Sequence, residues 1–107
     1  MGTRREKIEA LLVDDPADQF LRYGLAVELD KEGAHEQSLA EFHGLMSASP
    51  PYVAAFFMAA QQLARLNRID EARSALRDGI EQARASGNNH AAGEMSEFLA
   101  SLGSMGE

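Results

Sequence analysis

Residues 56–83 read FFMAAQQLARLNRIDEARSALRDGIEQA, and this stretch determines the predicted fold. Its apolar residues recur three and four positions apart as far as Leu66, stop at Asn67, and resume after Asp70. Such spacing places apolar side chains on one face of a helix, and the polar interruption marks a turn. The stretch therefore predicts two helices that fold back on each other as a hairpin.

The composition favours an acidic, all-helical protein. The 107 residues include 17 acidic and 10 basic side chains, three prolines and no cysteine. A net charge of −7 opposes binding to phosphate backbones and anionic lipid headgroups, so we expect neither nucleic acid nor a membrane as partner. The absence of cysteine excludes disulfides, thiol nucleophiles and thiolate metal sites. The first residues lack the apolar core of a signal peptide, so we expect a cytoplasmic protein.

Turn signals divide the chain into six predicted helices within a single domain of residues 1–107. Gly33 supplies the left-handed backbone that a helix C-terminus commonly needs, and Asn67 takes the same part in the next hairpin. The predicted helices cover residues 3–13, 17–31, 35–47, 51–66, 70–85 and 90–102, and residues 103–107 are expected to form a flexible tail.

Cap signals accompany these helix starts. Thr3 and Glu6 have the spacing of a capping box before the first helix. Asp15 is predicted to cap the second helix, with Pro16 at its first position, and Ser49 is predicted to cap the fourth.

The first hairpin repeats the second at an offset of 34 residues. Ala26 then matches Ala60, and Ser38 matches Ala72. Small residues at these positions allow the two helices of each hairpin to approach closely. The same offset relates Leu29 to Leu63, Phe42 to Leu76 and Pro16 to Pro50.

These positions resemble the tetratricopeptide repeat (TPR), a 34-residue helical hairpin unit. Its signature positions hold Arg22, Leu25, Ala26, Leu29, Ser38, Phe42 and Pro50 in the first hairpin, and Phe56, Ala59, Ala60, Leu63, Ala72 and Leu76 in the second. The departures are Arg22 where an aromatic residue is usual, Ala59 in place of a larger residue, and Arg84 in place of the closing proline. The resemblance implies an all-α solenoid of about six antiparallel helices, with full repeats at residues 19–52 and 53–86.

The two flanks are predicted to be partial units of this array. Ile8 precedes Phe42 by 34 residues, so the first helix looks like the second half of a preceding repeat. The last helix fits the period only after a shift of one residue, and we predict that it caps the array. Its predicted buried residues are Ala91, Met95, Phe98, Leu99 and Leu102. An irregular helical bundle is the alternative fold.

The resemblance implies a concave groove, lined by the first helix of each repeat, that holds an extended or helical peptide. Residues 17–31 have a second apolar strip besides the core face, and this strip contains Phe20, Tyr23 and Val27. In the second hairpin, Phe56 is predicted to pack inside the stack and Phe57 to face the groove. The predicted groove residues are Phe20, Tyr23, Val27, Lys31, Ala54, Phe57, Gln61, Ala64 and Arg65.

Several occupants of this surface are open on the sequence alone. It suits a protein or peptide segment that is apolar or amphipathic with some acidic character. The alternatives are a homodimer that buries the same face, or a terminal helix that folds across it. We do not expect the family's mode of gripping a C-terminal carboxylate, because the corresponding positions, Tyr23, Val27, Met58, Asn88 and Ala92, lack positive charge.

Catalysis has little support in the sequence. His35, His43 and His90 are scattered and lack a metal-ligand spacing. The adjacent carboxylates at residues 14–15 and 70–71 lie at predicted helix starts, where capping explains them. We therefore predict a non-enzymatic protein–protein interaction scaffold without cofactor or metal. A small-molecule pocket between helices, in an enzyme accessory domain, is the remaining alternative.

Overall fold

A computed structural model describes residues 2–105 as helices joined by short turns. The helices are α1 (Arg4–Asp14), α2 (Gln19–Lys31), α3 (His35–Met46), α4 (Val53–Arg65), α5 (Ile69–Ala85) and α6 (Asn89–Met105). No strand occurs in this part of the chain, so the predicted all-α class is confirmed. The chain divides after Pro50 into two compact units, of which the first contains α1 to α3 and the second α4 to α6. The final helix extends through residue 105, into the predicted tail, and residues 106 and 107 lie outside the described part.

Three of the four turns within the units, all but the one between α1 and α2, are of one type. Gly33, Asn67 and Gly87 have positive φ angles of 86°, 62° and 79°. In each turn the N–H of the following residue donates to a carbonyl five positions earlier, as from Ala34 to Leu29 at 2.9 Å. This is the pattern of a Schellman helix end, which satisfies carbonyls that the helix leaves without a partner. The predicted turns at Gly33 and Asn67 are confirmed.

The helix caps agree with the sequence at α1 and differ at two later helices. The capping box is present, with Thr3 Oγ1 accepting from the Glu6 N–H at 3.1 Å. The predicted cap at Asp15 is wrong, because Asp15 ends α1 and α2 begins three residues later than predicted from Pro16. Asp18 is the actual N-cap, and its Oδ1 accepts from the Leu21 N–H at 2.9 Å. The cap predicted for the fourth helix is also wrong, since α4 begins at Val53 without a side-chain cap.

Close contact between α2 and α3 forms the core of the first unit. Ala26 and Ser38 are fully buried, as their small size predicted. Ser38 Oγ donates a 2.6 Å hydrogen bond to the Ala26 carbonyl oxygen. Beside this contact, the ring of Tyr23 meets the buried ring of Phe42 edge-on, with centroids 5.9 Å apart. Aromatic pairs favour this arrangement, which fixes the orientation of Tyr23.

The first helix differs from α3 at equivalent repeat positions. Arg4 and Arg5 stand 34 residues before Ser38 and Leu39, which are both buried in α3. The two arginines instead form ion pairs with α2, and Ile8 is the buried residue of α1. The half repeat at the N-terminal end therefore presents charge where a full repeat presents core.

The second unit is organised around a glycine that sequence reasoning did not single out. Gly79 of α5 is buried, and a Cβ there would lie 2.5 Å from Phe56 Cβ and 2.6 Å from Met95 Sδ. Ala60 and Ala72 are fully buried in the same unit. Because glycine has no Cβ, α4 and α6 both approach α5 at this point.

The buried face of α6 differs by one position from the prediction. Met95 and Leu102 are buried as predicted, but Ala92 is buried in place of Ala91, while Phe98 and Leu99 are partly exposed. Ala92, Met95 and Leu102 lie on one face of the helix, so the predicted face is correct at Met95 and Leu102, and Ala91 lies beside it. At the far end of α6, Arg73 Nη2 donates to the Leu102 carbonyl at 2.8 Å. This hydrogen bond ties the last helix to α5.

Candidate functional site: an apolar cleft between α1 and α2

An open cleft of about 360 Å³ lies between α1 and α2 in the first unit. We call it the α1–α2 cleft. Its lining residues are Arg4, Ile8 and Leu11 from α1, with Phe20, Leu21, Tyr23, Gly24, Val27 and Lys31 from α2. Four of the predicted groove residues, Phe20, Tyr23, Val27 and Lys31, thus line one cleft. Their helical spacing places them on the same face of α2.

The α1 wall of the cleft was missed by the sequence reasoning. The 34-residue offset matches Ile8 with Phe42, and the predicted groove includes no residue of α1, but Ile8 and Leu11 both line the cleft. The sequence has leucine at both position 11 and position 45, which are 34 residues apart, and only the structure shows that Leu45 is buried while Leu11 is 55% exposed. Exposure of a repeat position that is apolar in both copies marks it as a surface residue with a separate role.

One end of the cleft is apolar and open to solvent. Phe20, in the first turn of α2, is 71% exposed, and Leu11 of α1 is also exposed. Ile8 is buried deeper in the cleft, where its Cδ1 would lie 3.4 Å from a Cβ at Gly24. An exposed aromatic ring beside a concave apolar surface is typical of a protein-binding site.

Two cationic side chains lie at the other end of the cleft. Arg4 Nε and Lys31 Nζ each lie 3.4 Å from a different carboxylate oxygen of Glu28, which is only 12% exposed. Both cationic side chains remain mostly exposed, so they can also contact a bound anion. The cleft lining contains these two cations and no carboxylate, but the adjoining pocket around the same two side chains is also lined by Arg5 and by Glu6, Glu9, Glu28 and Glu32. This end of the cleft therefore has no excess of positive charge.

A second ion pair fastens the same end of α1. Arg5 Nη1 donates to Glu32 Oε1 at 2.8 Å. The pKa of Arg5 is raised above its ordinary value, mainly by this hydrogen bond and then by the charges of Glu32 and Glu9. Arg5 therefore stays charged and holds α1 against the C-terminal end of α2.

The remaining predicted groove residues lie on α4, in the second unit. Ala54 and Arg65 are exposed, whereas Phe57, Gln61 and Ala64 are partly buried. Phe57 packs against Phe98 of α6, with ring centroids 5.9 Å apart and planes inclined by 54°. The terminal helix thus covers part of the α4 surface on which Phe57 lies. The sequence predicts Phe98 as a core residue of the last helix and does not predict its contact with Phe57.

Arg22, one of the three departures from the repeat signature, forms hydrogen bonds to two other parts of the first unit. Its Nε donates to the Pro16 carbonyl at 2.7 Å, and its Nη1 donates to Glu41 at 3.1 Å. Two hydrogen bonds to different elements replace the packing that an aromatic ring would supply. Arg22 therefore joins the turn before α2 to the side of α3.

The histidines and carboxylates of the described residues form no group of three or more that could hold a metal ion. His35 Nδ1 lies 2.9 Å from Asp30, and His90 Nε2 lies 3.3 Å from Glu94. The first pair spans the turn between α2 and α3, and the second lies within α6. Over residues 2–105, no helix has the length and apolar character that a membrane span requires.

Comparison with solved structures identifies the family. The fold is similar to the solution NMR structure of a tetratricopeptide repeat domain protein from Salinibacter ruber. The sequences are 33% identical, the match covers 82% of this chain and 89% of that chain, and the TM-score is 0.77. The chain belongs to the tetratricopeptide repeat family. A crystal structure of a TPR domain protein from the same organism is 31% identical, covers 81% of this chain and 97% of that chain, and gives a TM-score of 0.73.

A more distant structure shares the TPR fold. The solution structure of a protein from Bordetella parapertussis is 22% identical, covers 98% of this chain and 91% of that chain, and gives a TM-score of 0.82. No protein-family model matches the sequence, and no curated protein matches it. TPR units generally serve protein–protein interaction, and this chain has the helical hairpins of that family.

Proposed function

We propose that this TPR protein is a non-catalytic interaction module that binds an apolar or amphipathic protein segment in the α1–α2 cleft. The observation that carries the proposal is the exposed ring of Phe20 beside a concave surface that includes Tyr23 and Val27. Aromatic residues around a partly enclosed apolar surface supply most of the binding energy in many interfaces.

The exposed cations of the cleft support a further feature of the ligand. Arg4 and Lys31 both pair with the half-buried Glu28, yet their side chains stay 76% and 69% exposed. An acidic residue in the bound segment can pair with either cation. We therefore propose a segment with bulky apolar residues near Phe20 and an acidic residue toward Lys31.

Selection from a displayed peptide library tests this proposal. The protein is immobilised at low density, and the enriched peptides are synthesised and measured by fluorescence anisotropy. Phe20→Glu should weaken binding by at least roughly tenfold, because it places a charge in the apolar end of the cleft. Val13→Glu is the matched control, since Val13 is 81% exposed on α1 and does not line the cleft. No enrichment, or equal losses in the two variants, would contradict the proposal.

A homodimer that uses the same face is the second candidate. The observation that favours it is that, among the described residues, the exposed large apolar side chains are Leu11, Val13 and Phe20, and two of these, Leu11 and Phe20, line the cleft. Monomeric soluble proteins seldom leave such side chains together at a cleft mouth. The oligomeric state in solution distinguishes this candidate from an open cleft.

A further inference from the structure

We infer that α1 is a hinged clamp: it detaches from α2 and unfolds as a unit while the hairpin of α2 and α3 stays folded, and a segment bound in the cleft holds it closed. The detachment depends only on how α1 is attached to α2. The closing effect of a bound segment rests on the proposed function.

The apolar attachment of α1 is small. Within Arg4–Asp14, all of which the structure describes, Ile8 alone is buried, and Leu11 and Val13 are exposed. The buried residues of α2 and α3 are Ala26, Leu29, Ser38, Leu39, Phe42 and Leu45. Because stabilisation by apolar contact grows with the area removed from water, separating α2 from α3 costs more than separating α1 from α2.

The polar attachment of α1 leaves two buried atoms without a hydrogen bond. Arg5 Nη1 donates to Glu32, but Arg5 Nε and Glu28 Oε2 have no hydrogen-bond partner among the described residues. Opposite charges on Glu9 and Lys31 lie 3.5 and 3.4 Å from these two atoms, respectively. Opening of α1 exposes both atoms to water, which supplies the missing hydrogen bonds. Detachment therefore recovers part of the free energy that it costs.

The turn between α1 and α2 is suited to a hinge. None of residues 15–18, all within the described part of the chain, has the positive φ that closes the other turns of the two units. Asp15 has φ and ψ angles of −142° and 74°, outside the helical region. Rotation at residues 15–17 moves α1 away while Asp18 still caps α2.

Detachment and unfolding of α1 are one event. Isolated helices shorter than about 12–15 residues are marginal in water, and α1 has 11 residues. A segment that contacts Leu11 of α1 as well as Val27 of α2 binds the closed form in preference to the open form. Its binding therefore shifts the population toward the closed form.

Native-state hydrogen exchange, measured by NMR on the full chain without ligand, tests the detachment. Relative to their intrinsic rates, the amides of Leu11 and Leu12 should exchange at least roughly 100-fold faster than those of Ala26 and Leu29. Equal protection of the two helices overturns the inference and leaves the peptide-selection test of the proposed function standing. Protection that only declines from Leu12 toward the first turn indicates fraying, which also overturns it.

A substitution in α3 shows whether α1 opens independently. Leu39→Val should speed exchange in α2 by at least roughly fivefold and leave exchange in α1 unchanged, because Leu39 keeps its contacts when α1 opens. Ser38→Ala is a milder variant at the same contact and should act in the same direction. Equal acceleration in α1 and α2 refutes independent opening.

A peptide enriched in the selection tests the clamp. At about 100 times its Kd, the peptide should slow exchange in α1 by at least roughly tenfold, because opening of α1 then breaks contacts with the peptide. Leu11→Ala should weaken the peptide by at least roughly fivefold, whereas Val13→Ala, on the same helix but outside the cleft, should not. Unchanged exchange in α1 with bound peptide overturns the clamp, while the peptide itself still supports the proposed function.

Discussion

Gly79 of α5 lies so close to Phe56 of α4 that a Cβ on residue 79 would come within 2.5 Å of Phe56 Cβ. Real Cβ atoms do not approach each other this closely, and Phe56 Cβ is fixed to its own helix backbone. A larger residue at position 79 therefore requires the backbone of α4 to move, because rotation of the Phe56 side chain does not displace its Cβ.

Gly79→Ala should destabilise the protein by about 1–2 kcal/mol. Overpacking a close helix contact costs about 1–3 kcal/mol, and the higher helix propensity of alanine offsets up to about 1 kcal/mol. Urea denaturation followed by circular dichroism measures the change. Gly44→Ala is the matched control, because Gly44 lies within α3 with open space around its Cα, and there alanine should stabilise by about 0.5–1 kcal/mol. Stabilisation by both variants would show that the close approach at Gly79 is absent.

Asp18→Ala should cost about 1 kcal/mol, because it removes the side-chain cap of α2. Asp18→Asn should retain most of the stability, since asparagine caps helices nearly as well. Asp15→Ala should leave stability unchanged or slightly higher, because an acidic residue at the C-terminal end of α1 opposes the helix dipole. Thermal melts in the Phe20→Glu background separate these effects from self-association. A larger loss of stability for Asp15→Ala than for Asp18→Ala would indicate that Asp15, and not Asp18, caps α2.

Ser38→Ala should cost about 1 kcal/mol through loss of the buried hydrogen bond to Ala26. Alanine is otherwise tolerated at this contact, since Ala72 occupies the equivalent position of the next repeat. Ser38→Val should cost more, because added methyl groups separate α2 from α3. Ser74→Ala on the exposed face of α5 provides the comparison and should not destabilise. Equal stabilities of Ser38→Ala and wild type would mean that the hydrogen bond contributes nothing net.

Phe57 and Phe98 should show energetic coupling. Each truncation to alanine removes the same ring contact, so the double variant should lose about 0.5–1.5 kcal/mol less than the sum of the single losses. Denaturant midpoints of the four proteins complete the cycle. Strict additivity would show that α6 does not hold Phe57, and Phe57 would then be open as predicted from the sequence.

Arg22→Ala should cost roughly 1 kcal/mol, because it removes hydrogen bonds to Pro16 and Glu41. A double-mutant cycle with Glu41→Ala should give a coupling of about 0.2–1 kcal/mol that falls as salt is added, since both side chains are partly exposed. Arg77→Ala, on an exposed face, should leave stability nearly unchanged. A coupling that does not respond to salt would argue against an ion pair.

The helices and their turns were predictable because local signals agree with the tertiary packing. Gly33 follows α2 and Asn67 follows α4. Both turns need the left-handed backbone that glycine and asparagine adopt most readily. The small residues Ala26 and Ala60 likewise mark positions where helices touch. A 34-residue period thus specifies hairpins without knowledge of any particular contact.

Contacts between separate helices were less accessible from the sequence. Gly79 reads as a weak helix former, and only the presence of Phe56 and Met95 beside it shows why a side chain would not fit. Three nearby aspartates compete for the cap of α2, and the backbone conformation rather than residue type selects Asp18. At the cleft, the α2 face followed from helical periodicity, whereas the contribution of Leu11 depended on how α1 is oriented.

The attachment of α1 makes the cleft sensitive to its ionic surroundings. Ile8 is the buried residue of this helix, and partly exposed arginine–glutamate pairs such as Arg5–Glu32 also join the helix to the C-terminal end of α2. Dissolved ions weaken such pairs much more than they weaken apolar contacts. We therefore expect added salt to loosen the first helix before the hairpin of α2 and α3, so that the cleft loses one of its walls. The surface offered to a partner should then depend on salt concentration while the rest of the chain stays folded.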